Sequence, residues 1–176
     1  MRVEVHSFVE RGEAEEIEMI NLFKRFMRKT KAKSLQRKAY ELALEDAGTW
    51  EWKGNKHNPK VLQYFADVGH AWVKDDETAW CAAFAGAMLK RAGLPHTGKL
   101  NARSYLKWGV EVPLEEAQEG DIVVFSRGDP SGWQGHVAFY VSHGDRFINV
   151  LGGNQSNQVN VTPYKRKRLL GVRRWR

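Results

Sequence analysis

The sequence predicts an α+β domain. Helix-period patterning fills the chain up to Gly109, short β-branched and aromatic runs fill the rest, and Gly, Pro, Asp and Asn punctuate the elements. Helices first and an antiparallel sheet afterwards is the arrangement that this order implies.

From Glu13 to Lys29, Ile17, Ile20, Phe23, Phe26 and Met27 recur at steps mostly of three or four, with Glu early and Lys/Arg late. That is an amphipathic helix whose charges match its dipole. A second helix is predicted to start at Ser34, whose hydroxyl can cap it, and to run through Leu35, Ala39, Leu42 and Ala43 to a stop at Gly48. The boundary is then Thr30–Lys33, leaving residues 1–33 as a helical appendage and residues 34–176 as the domain. Trp50–Asn58 reads as a loop able to line a cleft, and Asn58-Pro59 as the start of a helix through Phe65. A further helix spans about Ala79–Arg91, with Thr78 as candidate N-cap and Gly93-Leu94-Pro95 as its stop, so Cys81 falls in its first turn. Asp121–Ser126, His136–Ser142, Arg146–Leu151 and Val159–Thr162 have the composition and spacing of strands.

At 176 residues and 42% hydrophobic content the chain suits one compact domain, with no repeat at a solenoid or propeller period. One cysteine leaves no disulfide framework and no multi-cysteine zinc cluster. His57, His70, His96 and His143 are scattered without an HExxH pattern, so neither a metal nor a cofactor is expected. No basic segment followed by an apolar run opens the chain, and no 18 apolar residues run together. The expectation is therefore a soluble, cytoplasmic and monomeric product.

The net charge of +7 favours an anionic partner, and it is unevenly spread. Phe23–Lys33 holds six Lys/Arg and Lys165–Arg176 seven, together 13 of the 28. The basic termini suggest contact with an anionic envelope or membrane. For KRKRLLGVRRWR the plainer reading is a last strand with solvated cations, ahead of envelope contact and then nucleic acid.

Taken alone, a cysteine in AWCAAFAGAML fits a small buried apolar residue. At a helix N-terminus, however, unpaired N–H groups and the positive dipole end favour the thiolate, which is the nucleophilic form, and the same groups can serve an oxyanion. His136 opens a strand, where its side chain can face the helix carrying Cys81. Such a pair lets imidazole take the thiol proton and later protonate a leaving amine.

Three blocks carry a resemblance: DETAWCAAFAGAMLKRAGLPHTGKLNARSYLKWG, GDIVVFSRGDPSGWQGHVAFYVS and INVLGGNQSNQVNVTPY. Over roughly Leu35–Arg176 the chain resembles the CHAP and NlpC-type superfamily of papain-like peptidoglycan hydrolases, in particular the compact forms of phage lysis proteins. The resemblance implies a papain-like fold, with helices packed on a small antiparallel sheet. It also implies a nucleophilic Cys81, a general base His136 and a polar residue orienting the imidazole. In this sequence that third position matches Asn154, with Gln155 as the fallback; an amide can orient the ring but offers no charge to stabilise imidazolium.

Among the other polar and aromatic residues, Asp121 in the Gly-Asp turn is expected to be structural. Trp80 and Trp133, close in sequence to Cys81 and His136, are expected near the cleft as substrate contacts, with Gln155 beside them. The function implied is hydrolysis of an amide bond in the peptide part of peptidoglycan by a phage or prophage endolysin, held in the cytoplasm until delivered to the wall. The alternative is a non-catalytic basic module that holds nucleic acid or an anionic envelope glycan through its cationic ends.

Overall fold

The computed structural model describes residues 3–176, with side chains from Ile17 onward. Helix α1 (Val3–Glu45) passes through the predicted boundary without a break. The predicted N-cap at Ser34 is therefore corrected: Ser34 lies inside the helix. No Gly or Pro occurs between residues 13 and 47, so nothing in the local sequence stops propagation. The hydroxyl of Thr30 donates back to the Phe26 carbonyl at 3.1 Å, which leaves the helix intact. Packing on the rest of the protein begins at Ala32 and continues through Gln36, Ala39, Tyr40 and Ala43, all buried. Gln36 fastens α1 by donating to the Gly120 carbonyl and to Asp121, both at 3.0 Å, while accepting from the Trp175 amide at 2.9 Å.

Helix α2 (Pro59–Asp67) starts as expected: Asn58 caps it by accepting from the Lys60 amide at 2.9 Å, and Pro59 takes the first position. Helix α3 (Cys81–Ala92) begins two residues later than expected. Its N-cap is Trp80, with no side-chain cap, because the hydroxyl of Thr78 is turned toward Asp75 at 2.8 Å. Gly93, at φ 88°, closes α3 in the left-handed conformation. Helices α1 and α2 both pack on α3, which is buried along nearly its whole length.

Six antiparallel strands follow: β1 (Val110–Val112), β2 (Ile122–Ser126), β3 (Gly135–His143), β4 (Phe147–Gly152), β5 (Asn160–Lys165) and β6 (Leu169–Arg174). Their order across the sheet is β1-β6-β2-β3-β4-β5. A large core that includes Val124, Val137 and Phe139 joins the sheet to the helices. A smaller cluster of Val112, Val123, Phe125, Ala138, Tyr140, Ile148, Val150 and Val172 forms separately. Alternation along β2 and β3 sends successive side chains to these two cores.

The C-terminal segment is a strand, as its plainer reading held, but β6 lies inside the sheet between β1 and β2. Four of the segment's seven cations have partners within the molecule. Arg174 meets Asp121 in a fork at 2.8 and 2.6 Å, and Arg168 donates twice to the Ser126 carbonyl at 2.9 and 2.7 Å. Arg166 pairs with Glu115 and Arg173 with Glu111. Asp121, with its Gln36, Gln118 and Arg174 bonds, is the structural anchor expected of it.

Candidate active site

Cys81 is the first residue of α3 and is 7% exposed. The thiol opens on a cavity of about 170 Å³ whose lining includes Ala79, Asn101, Ala102, Arg127 and Trp133. Helix α3, which Cys81 begins, packs against β3, the strand that carries His136. Despite its place at a helix start, burial pushes the Cys81 thiol up; the Val137 amide and the Arg127 cation oppose this without overcoming it. The expected thiolate is therefore corrected to a neutral thiol in the resting protein. Desolvation of the charged form outweighs the first turn's dipole.

His136, on β3, is 1% exposed. Tyr164 from β5 stacks on its ring at 4.8 Å between centroids and 3° between planes, and Phe125 stacks in turn on Tyr164 at 4.9 Å between centroids. Burial, against the favourable bond to Gln155, holds the imidazole down at about 4, with the Arg127 and Arg168 cations acting in the same direction as burial. It is neutral at physiological pH.

The residue that holds the ring is Gln155. Its Oε1 lies 2.9 Å from His136 Nε2, and its Nε2 donates to the Asn160 carbonyl at 2.6 Å and to Asn160 Oδ1 at 3.0 Å. Two acceptors on one side fix which end of the amide is nitrogen, so Oε1 must accept from His136 Nε2–H. The neutral ring then carries its lone pair on Nδ1. Nδ1 is buried and has no hydrogen-bond partner. A neutral ring with an unpartnered acceptor nitrogen is in the form that can take up a proton.

These contacts correct the assignment of Asn154 as orienting residue and of Gln155 as a substrate contact. Asn154 instead shapes the turn. It has φ 57°, Ser156 52° and Asn157 66°, three left-handed non-glycine residues around Gln155. The preceding glycines serve close approach: a Cβ at Gly153 would lie 2.5 Å from the Trp80 ring, and one at Gly152 2.8 Å from Ala138 Cβ. With no side chain at either position, the turn can sit on α3 and β3 and aim Gln155 at His136.

Residues 72–154 match the CHAP domain family model, a segment that includes Cys81 and His136. That segment is similar to the CHAP domain, and the fold resembles those of NlpC/P60 domains. Among solved structures, the P60 domain of a Mycobacterium avium paratuberculosis antigen is similar to it at 16% identity and a TM-score of 0.52, over 84% of this chain and 98% of that one. A hypothetical invasion protein of Mycobacterium tuberculosis gives 17% and 0.51, over 83% of this chain and 64% of its own. A Staphylococcus aureus protein described as similar to a lipoprotein of the NLP/P60 family gives 16% and 0.51, over 81% and 42%. The chain thus spans nearly all of the first and less than two thirds of the other two. At these identities the likeness establishes the α+β papain-like fold. No curated protein matches the sequence.

The two tryptophans part company. Trp133 is 73% exposed and lines the Cys81 cavity. Trp80, fully buried, is corrected from substrate contact to core residue: it stacks on Tyr64 at 5.9 Å and donates its indole N–H to Glu51 at 2.7 Å. Several residues that position the site carry no sequence signal. Arg103 donates to the carbonyls of Asp129, Pro130 and Gln134, bracing the loop that bears Trp133. Buried Asp76 accepts from the amides of Trp52 and Asn58 and pairs with His57 at 3.0 Å, folding the Trp50–Asn58 loop. Burial alone would raise Asp76, but these hydrogen bonds hold it below the usual carboxylate range. Tyr164 could have been suspected from its place in the third resembling block, although nothing in that block says that it covers a histidine. Among the described residues no group of three His, Cys, Asp or Glu could hold a metal ion.

Proposed function

We propose that the protein is a cysteine hydrolase that cleaves an amide bond in the peptide part of peptidoglycan, with Cys81 as nucleophile, His136 as base and Gln155 as the positioning residue. The observation that carries this reading is the amide-fixed tautomer: Gln155 takes the Nε2 proton and leaves Nδ1 free. Peptidoglycan as substrate rests on the family resemblance, as does a phage lysis setting. Residues 34–176 form the proposed hydrolase domain and residues 1–33 its appendage.

The chemistry follows from two neutral partners. As Sγ attacks the substrate carbonyl carbon, Nδ1 takes the thiol proton, and the new oxyanion faces the free amides at the start of α3. When the C–N bond breaks, Nδ1–H passes its proton to the departing nitrogen, leaving a thioester on Cys81. Water then attacks that thioester while giving a proton to Nδ1, and the proton returns to sulfur as the carboxylic product leaves. Because charge separates only when substrate arrives, the resting thiol is protected from adventitious chemistry.

Turbidity loss of purified peptidoglycan tests the assignment. Cys81→Ala is expected to abolish it while leaving the thermal transition and sedimentation with the wall unchanged. Mass spectrometry of the fragments released by the native protein should find new amino and carboxyl termini within the peptide. An unchanged lytic rate for Cys81→Ala contradicts the reading.

A further inference from the structure

Helix α1 changes character along its length. From Ala32 onward one face packs on the domain, through Ala32, Gln36, Ala39, Tyr40 and Ala43. Ahead of it, Met19, Ile20, Leu22, Phe23, Phe26 and Met27 are all exposed, with Met19 at 70%, Leu22 and Phe23 at 64% and Phe26 at 63%. At about 100° per residue these six side chains fall within one arc of roughly 160°. The centre of that arc lies roughly 130° around the helix from the centre of the face that packs on the domain. A continuous helix therefore cannot fold the apolar arc back onto its own core.

The rest of the surface is cationic. Lys24 and Lys31 border the arc on one side and Lys29 on the other, with Arg25 and Arg28 between them on the opposite face. No acidic residue occurs from Met19 to Tyr40. This charge pattern selects the occupant. A second copy of the chain would bring like-charged margins together, whereas an anionic lipid surface neutralises both margins while its acyl boundary receives the apolar arc. No helix among the described residues is long and apolar enough to cross a membrane. The segment suits lying along a surface, with about 22 Å of helix over residues 17–31.

We propose that residues 17–31 of α1 bind an anionic phospholipid surface, with the Phe23 and Phe26 side of the helix inserted, and so hold the domain at a membrane. The proposal is independent of the catalytic reading. It is tested by co-sedimenting the full chain with phosphatidylglycerol-containing vesicles and with neutral phosphatidylcholine vesicles. Binding to the anionic vesicles, weakening as salt rises, is expected, with little binding to neutral ones. The double variant Phe23→Glu, Phe26→Glu should lower anionic-vesicle partitioning by about tenfold or more, since it removes apolar burial and adds like charge to the lipid's. Its thermal transition should not move, because both side chains are exposed in the native protein. Equal partitioning of variant and native chain would overturn the proposal and leave net charge as the cause of binding. So would failure to bind anionic vesicles at low salt. A dimer that the same double variant dissociates, without vesicle binding, would overturn it in favour of a second copy as partner.

Discussion

Cys81 and His136 lie on elements packed against each other but are held in opposite ways. The thiol sits at the start of one helix, and the residues that bound that helix, from Trp80 to the left-handed Gly93, lie within one short stretch of chain. The imidazole is held by residues far apart in sequence: Gln155 from the turn after β4, Tyr164 from β5 and, behind these, Asn160. A nucleophile can be positioned by local structure, because a helix start is a local feature. A base needs its tautomer fixed and one face covered, which requires contacts from several strands.

The sharpest contrast between the two sides is in their response to acid. His136 titrates near 4 in the folded protein, where burial disfavours the charged ring, and near 6.5 when exposed by unfolding. Between these values the unfolded chain binds the extra proton, so the stabilisation linked to His136 is complete above 6.5 and is lost as pH falls through 4. The loss should amount to about 3 kcal/mol. Denaturant midpoints measured across that window should fall for the native chain, and the His136→Gln difference curve should isolate the slope. An equal slope in His136→Gln would mean that the ring is not buried neutral.

The next largest effect is expected at Gln155. Gln155→Leu keeps the volume but removes the acceptor, so the proton is free to move to Nδ1 and the base is lost in a fraction of molecules. The expected result is a fall in kcat of about 10- to 100-fold with KM little changed. Alkylation of the Cys81 thiol by iodoacetamide should slow as well, since the same nitrogen takes the thiol proton, and the ring proton should be found on Nδ1 in part of the molecules. A loss of turnover with the ring tautomer unchanged would place Gln155 in a general structural role.

The smallest effect belongs to Asn154. Its φ of 57° suits Asn or Gly, so Asn154→Gly should leave the thermal midpoint nearly unchanged while Asn154→Ala costs about 1 kcal/mol. Were Asn154 itself the orienting residue, Asn154→Gly would lower kcat as severely as Gln155→Leu.

The same division between local and distant determinants explains what the sequence disclosed. The order of elements, the start of α2 and the strands β2 to β5 follow from capping residues, proline and periodicity, all short-range signals. Cys81 and His136 were legible because each begins an element. Gln155 was not separable from Asn154, since adjacent amides in a turn differ only in direction, and that direction is set by Gly152, Gly153 and three left-handed residues packing on α3. The break expected at Ser34 failed because a capping residue marks a helix start only where propagation from upstream is blocked. Burial of Trp80 and elevation of the thiol depend on what surrounds them in space, on which neighbours in sequence are silent. The basic C-terminal segment shows the same limit, for its composition could not reveal that Arg168 and Arg174 brace an interior strand.

The most direct test of the account is the nitrogen chemistry of His136 itself. A long-range proton–nitrogen spectrum of the ring, taken at neutral pH and followed downward, reads both the tautomer and the protonation state. The account predicts a neutral ring protonated on Nε2, with an unprotonated Nδ1 that persists until the pH approaches about 4. A ring protonated on Nδ1, or an imidazolium at neutral pH, would contradict it.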